Sequence, residues 1–271
     1  WEDPLMLLWL LYPVFGAFAG ILAGLLGVGG GIVIVPMLVF LFNAQGFAPQ
    51  HIMQMALATS LGSIVFTSIS SFRAHHRRGA VRWPVVWSIS PGILLGTFGG
   101  TWIAAWLSTH ALKVFFVCFL YYVAVQMLAD YKPKPTRELP RTAGMFAAGT
   151  VIGVVSSLVG IGGGSLSVPF LAWCNLPLHQ AIGTSAAIGF PIAVAGILGY
   201  IVNGWCLPSL PPLNLGFLHL PALLGIALFS MLTAPLGARL AHRLPVSRLK
   251  RIFAGFLLLV ASRMAWGLLA G

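Results

Sequence analysis

Ten residues with almost no side-chain chemistry carry the strongest chemical signal in this chain. Gly-Val-Gly-Gly-Gly-Ile-Val-Ile-Val-Pro, from Gly27 to Pro36, returns 133 positions later as Gly-Ile-Gly-Gly-Gly-Ser-Leu-Ser-Val-Pro, from Gly160 to Pro169. A glycine-rich turn that opens into a helix exposes several backbone N–H donors, and the positive end of the helix dipole favours negative charge, so the chemistry suited to such a stretch is capture of an anion. The donors would come from Gly29, Gly30 and Gly31 in one copy and from Gly162, Gly163 and Gly164 in the other. Ser165 adds a hydroxyl where the first copy has Ile32, which makes the pair chemically asymmetric. The competing use of such glycines is close helix packing, since small residues are common at interhelical contacts in membranes.

Hydroxyls recur as well. Thr59-Ser60 matches Thr184-Ser185 at an offset of 125. Each of these four side chains can donate to an oxyanion without placing a full charge in lipid, or can bond instead to its own helix. Four other polar residues fall in or beside apolar segments: Gln54 aligns with His179, and Gln126 with Arg263. Arg263 lies 12 residues into the last apolar segment. A charge facing lipid there is expensive, so it is expected to meet protein, water or an anion unless it snorkels to the surface. His179 sits at the mouth of a span, where it is either interfacial or proton-linked.

Other chemistries find no support. No Asp or Glu lies inside an apolar run, and there is no HExxH, phosphate-binding P-loop or Gly-x-Ser-x-Gly elbow, so neither an enzyme nor a nucleotide-driven pump is expected. Cys118, Cys174 and Cys206 are far apart in apolar surroundings, so neither a disulfide framework nor a metal or cofactor site is expected.

The elements that must hold these groups follow from composition. Hydrophobic residues make up 59% of the 271, charged residues 7%, and the mean hydropathy is +0.96, which describes an all-α integral membrane protein able to hold eight to ten spans. The net charge of +11 comes from bases gathered in short loops, which is the pattern of topogenic charge rather than of nucleic-acid binding. The sequence begins at Trp1 without methionine, which reads as a start lost upstream, and no cleavable signal is recognised; targeting is left to the first span.

Apolar runs are expected at Pro4–Phe42, Ile52–Phe72, Trp83–Leu107, Leu112–Ala129, Thr142–Trp173, Ala181–Val202, Leu215–Leu240 and Ile252–Leu269. Basic loops follow the second run (Arg73 to Arg82) and the seventh (Arg243 to Arg251), and a polar linker, Asp130 to Arg141, divides the chain. The loop from Asn203 to Asn214 is uncharged and rich in proline. Counting each glycine-broken run as two segments gives five per half and puts all three basic stretches on the cytoplasmic face. The expectation is two inverted repeats, 1–131 and 142–271, joined by a cytoplasmic linker at 132–141, with both termini outside. Paired breaks of this kind point to a central binding site. The second segments, Ile32 to Phe42 and Ser165 to Trp173, are too short to cross about 30 Å of hydrocarbon.

Gly-x-Gly-Gly-Gly followed by Val-Pro at the start of each half, with Thr-Ser downstream, resembles the TauE/SafE sulfite exporter family. The resemblance covers both halves and places the family's glycine motif on Gly27, Gly29, Gly30 and Gly31 and on Gly160, Gly162, Gly163 and Gly164. It implies a multi-pass carrier of the cytoplasmic membrane that exports a small sulfur-containing anion such as sulfite, thiosulfate or an organosulfonate, by alternating access around a central site. A passive anion channel is the alternative. The expected partners are that anion and the lipid bilayer.

Overall fold

A computed structural model describes residues 4–26, 30–129, 138–241 and 246–269. These form ten helices and one small β-hairpin: α1 (Pro4–Leu26), α2 (Gly31–Ala44), α3 (Ile52–Arg77), α4 (Trp83–Trp106), α5 (Thr109–Leu128), α6 (Thr142–Val159), α7 (Gly164–Trp173), α8 (Leu178–Gly204), the strands β1 (Asn214–Leu215) and β2 (Leu218–His219), then α9 (Leu220–Ala241) and α10 (Val246–Leu269). Among the described residues five stretches are long and apolar enough to cross a membrane: α3, α5, α6, α8 and Arg251–Leu268 of α10. Trp87, Trp106 and Leu224 stand 70%, 87% and 66% exposed, as side chains facing lipid do.

Several boundaries differ from the sequence expectation for local reasons. Helix α3 runs on through the first half of the basic stretch to Arg77, because arginine favours helix and no breaker occurs before Gly79, at φ +67°. Helix α5 starts at Thr109, not Leu112, because the Ser108 hydroxyl caps it, accepting from the Ala111 N–H at 3.2 Å. Helix α9 starts only at Leu220: the end of the proline-rich loop closes on itself as β1 paired with β2.

The packing is set by small residues. Helices α1 and α9 run parallel, with Gly16 against Ile226 and Gly20 against Ser230. Helices α4 and α6 do the same, with Gly92 on Phe146, Gly96 on Thr150 and Gly100 on Val154. In each pair a Cβ on the glycine would collide with the partner's backbone or side chain, so only glycine permits the approach. Helices α3 and α8 cross at the centre in opposite directions: Gly196 faces Leu61, while a Cβ on Gly189 would lie 3.8 Å from the Ser68 Cβ. Helices α5 and α10 pack together at one side, where the Tyr121 hydroxyl meets the Ser262 hydroxyl at 2.9 Å.

Candidate functional site

The second glycine decade folds as a tight reversal between α6 and α7. Gly160 ends α6 in the left-handed region, φ +71°, while its own N–H and that of Ile161 both bond the Ser156 carbonyl, at 2.8 and 3.1 Å. Gly163 opens α7 at φ +76°, and its carbonyl accepts from the N–H groups of Leu166 and Ser167 at 3.0 and 2.7 Å. Two left-handed residues three positions apart turn the chain back within a width that only glycine allows. The N–H groups of Gly162, Gly163, Gly164 and Ser165 find no acceptor among the described residues. They form the positive end of a ten-residue helix inside an apolar protein.

Around this tip the hydroxyls divide into two kinds. Ser167 donates to the Gly163 carbonyl at 2.8 Å and shares a 2.6 Å hydrogen bond with Ser185, which ties α7 to α8. Ser60 donates at 2.8 Å to the Gly160 carbonyl, which ties α3 to the same turn. Ser165 and Ser156, by contrast, are buried with no partner for their oxygens among the described residues, and so is Thr97 on α4. Leaving a buried hydroxyl unpaired costs about 1–3 kcal/mol.

The first decade reaches the same place with less polar chemistry. Gly30 caps α2, its carbonyl accepting from Val33 and Ile34, both at 3.0 Å, and both Gly30 and Gly31 are buried. A Cβ on Gly31 would collide with the Gly160 carbonyl and lie 3.1 Å from the Ile161 Cα, so the two tips abut. Gly29 lies outside the described residues.

Of the remaining sequence candidates, Thr59 and Thr184 are both fully buried, and the oxygen of each accepts a backbone N–H from a distant loop. Thr59 Oγ1 takes that of His219 at 3.2 Å, and Thr184 Oγ1 that of Arg82 at 3.0 Å. Gln126 is half-buried on α5 and lines a groove of about 820 Å³ whose other wall is Pro169, Phe170 and Trp173 of α7. Arg263 is exposed on α10 beside Ser262, and His179 is exposed in the first turn of α8. The structure thus gathers the glycine tips, Ser60, Ser165 and Ser185, and leaves Gln126, Arg263 and His179 on the periphery.

Two groups of polar residues escaped the sequence reading. Ser156 and Thr97 have no hydroxyl counterpart in the repeat register, so an argument from repetition passes over them. His219 is 3% exposed, boxed by the rings of Tyr12, Phe42 and Phe47 at 6.1, 5.4 and 5.3 Å, and its Nδ1 lies 2.6 Å from Asn214 Oδ1. Nearby, Tyr12 donates to Gln45 at 2.7 Å. His219 and the tyrosines Tyr12 and Tyr200 each combine near-complete burial with a hydrogen-bonded polar side-chain atom. The signal of His219 in the sequence, a histidine next to an apolar run, is too common to single it out. Among the described residues no Asp, Glu, Lys or Arg is buried and no metal-binding cluster occurs.

A multi-pass helical bundle with a glycine-tipped break held by buried hydroxyls is an architecture in which membrane transporters place their binding sites. Residues 12–264 match the family model described as "Sulfite exporter TauE/SafE", and the chain belongs to that family. It is 40% identical to a "Probable membrane transporter protein" of Haemophilus influenzae over 257 residues, covering 94% of this chain and 97% of that one. It is 26% identical to a similarly described protein of Methanocaldococcus jannaschii over 94% of this chain and 95% of that one, and 30% identical to the Bacillus subtilis protein YunE over 70% and 77%. No solved structure matches the chain. It is a multi-pass transporter of the cytoplasmic membrane, not an enzyme.

Proposed function

We propose that this transporter exports a small sulfur-containing oxyanion, such as sulfite, thiosulfate or an organosulfonate, by alternating access around the meeting point of the two glycine tips. The observation that carries this reading is the start of α7, where the N–H groups of Gly162, Gly163, Gly164 and Ser165 find no acceptor among the described residues. Hydrogen bonds to a charged partner contribute about 1.5–3 kcal/mol each, so two or three of these donors suffice for binding without a buried cation that would slow release. Ser60 and Ser185 hold the turn in shape, and Gln126 lines the α5–α7 groove; in this reading Arg263, exposed on α10, and His179, exposed in the first turn of α8, act on the anion's approach.

The same reading includes two inverted repeats, 1–131 and 142–271, joined at 132–141. The opposed directions of α3 and α8 support it, because those helices would run parallel if each glycine-broken run crossed the membrane once. Further support comes from the tight pairs: Gly16 and Gly20 of α1 stand to Ile226 and Ser230 of α9 as Gly149 and Gly153 of α6 stand to Ile89 and Ile93 of α4.

The test is flux in proteoliposomes with a panel of sulfite, thiosulfate, an alkylsulfonate, acetate and chloride. Saturable uptake with trans-acceleration, confined to the sulfur oxyanions, is expected. Non-saturating conductance would make the protein a channel, and flux of acetate or chloride alone would remove the sulfur specificity.

A further inference from the structure

The two tips look equivalent in sequence but not in their surroundings. Where the second half has Ser156, Ser165 and Ser167, the positions 133 residues earlier are Ala23, Ile32 and Ile34. The first tip also has no room to spare, because Gly31 is pressed onto the Gly160 carbonyl and within reach of the Ile64 side chain, where a Cβ would lie 3.1 Å from Ile64 Cδ1.

Two hydroxyls of the second half and one of the first behave unlike their neighbours. A serine or threonine inside a helix ordinarily donates to a carbonyl one turn back. Thr150 does so to Phe146 at 2.9 Å, Ser157 to Val154 at 2.8 Å and Ser167 to Gly163 at 2.8 Å. Ser156 does not. It is fully buried on the same helix as Thr150 and Ser157, without a partner among the described residues, and its Oγ lies 3.6 Å from where a Cβ on Gly163 would stand. Ser165, 8% exposed and also unpaired, sits in the first turn of α7 itself. Thr97 presents the third unpaired hydroxyl, 2.8 Å from the Cβ position of Gly153, one turn of α6 away from Ser156.

We propose that the anion site is one-sided: the free N–H groups of α7 and the hydroxyls of Ser156 and Ser165 bind the oxygen face of a pyramidal or tetrahedral oxyanion, with Thr97 behind them, while the first tip is a wedge that closes the site without touching the ligand. This rests on the anion reading above and narrows it. Donors arriving from one helix end and two flanking hydroxyls match an XO₃ face, which offers three acceptors on one side; a halide offers no such set of directions. A sulfonate's organic substituent would point away from α7, so substituent size is tolerated more readily than loss of an oxygen.

The experiment is calorimetry with sulfite, methanesulfonate and chloride on purified wild type and on Ser156→Ala, Ser165→Ala, Thr97→Val and Ile34→Ala, with a thermal melt to confirm folding of each. Ser156→Ala and Ser165→Ala are expected to weaken both oxyanions at least tenfold. Thr97→Val should weaken them a few fold, and Ile34→Ala, at the first-half position matching Ser167, should leave affinity unchanged. Folded Ser156→Ala and Ser165→Ala proteins with wild-type affinity would overturn the one-sided site and leave the anion reading standing. Tenfold weakening by Ile34→Ala would overturn it too, because both tips would then bear on the ligand. Failure of the wild type to bind either oxyanion would remove the anion reading, and this inference with it. Should an alanine variant not fold, Ser156→Thr and Ser165→Thr keep a hydroxyl while adding a methyl group on the oxygen side; retained affinity in both would overturn a close contact, and a similar loss of sulfite and methanesulfonate affinity would support it.

Discussion

Thr59 and His219 are 160 residues apart, yet the hydroxyl oxygen of the first accepts the backbone N–H of the second at 3.2 Å. The arrangement recurs between Thr184 and the N–H of Arg82 at 3.0 Å. In both cases the donor immediately precedes a helix, α9 or α4, whose first turn has N–H groups to satisfy. A threonine in the middle of the bundle thus secures a loop that comes from the other end of the sequence.

Thr59→Val keeps the shape of the side chain and removes the acceptor, stranding a buried N–H. A loss of about 1–3 kcal/mol is expected, visible as a lowered melting point in detergent, with anion affinity in the folded protein unchanged. Thr184→Val should cost less, because the Arg82 side of that contact is only partly buried. Equal melting points for Thr59→Val and the wild type would show that the loop is held by its aromatic contacts alone.

Gly96 and Gly99 share a helix but face different surroundings. A Cβ on Gly96 would collide with the Thr150 carbonyl, whereas one on Gly99 meets nothing within 4 Å. Gly96→Ala is expected to destabilise by about 1–3 kcal/mol through overpacking. Gly99→Ala should be neutral or stabilising by up to about 1 kcal/mol, the helix preference of alanine over glycine. Denaturant titration of the two variants side by side checks the order, and a reversal would mean that α4 and α6 are not in close contact.

Gly163 combines a left-handed φ of +76° with the Ile192 Cδ1 only 2.5 Å from its Cβ position. Gly163→Leu should abolish anion binding. Gly46→Leu carries similar backbone strain, at φ +72°, in open space, and should bind as the wild type does after losing about 1–2 kcal/mol of stability. Binding lost in both would trace the effect to strain rather than to the tip, and calorimetry on the two folded variants decides.

Arg263 is exposed and stands next to the Ser262 that pairs with Tyr121, which lines the same groove as Gln126. A charge in that position acts through local concentration of the anion rather than through contact. Arg263→Gln is expected to raise the half-saturating substrate concentration a few fold at low salt, leave maximal flux unchanged, and lose its effect as salt screens the field. A lowered maximal rate, independent of salt, would instead place Arg263 on the ligand.

What the sequence revealed was whatever it stated twice. The glycine decades, the Thr-Ser pairs and the short arms all announced themselves by repetition, and composition supplied the membrane. The short arm α7 falls at the residues expected, because glycine at one end and the apolar run at the other leave little freedom. Features present once were not legible. Ser156 matches Ala23 and therefore looked like an ordinary helix serine, and the N–H partners of Thr59 and Thr184 lie across 160 and 102 residues of chain. The hairpin Asn214–Leu215 with Leu218–His219 was hidden in a loop whose prolines suggested irregular chain, while its reversal depends on Gly216 at φ +57°.

The tight helix pairs have a consequence for movement. Each joins an element from before the 130–137 stretch to one from after it: α1 holds α9 through Gly16 and Gly20, and α4 holds α6 through Gly92, Gly96 and Gly100. Swinging the N-terminal half as a block against the C-terminal half would tear open both seams at their most closely fitted points. The bodies able to move as rigid pieces are therefore composite ones, each assembled from both ends of the gene, and a single polypeptide cut between residues 130 and 137 would still be stitched together by them.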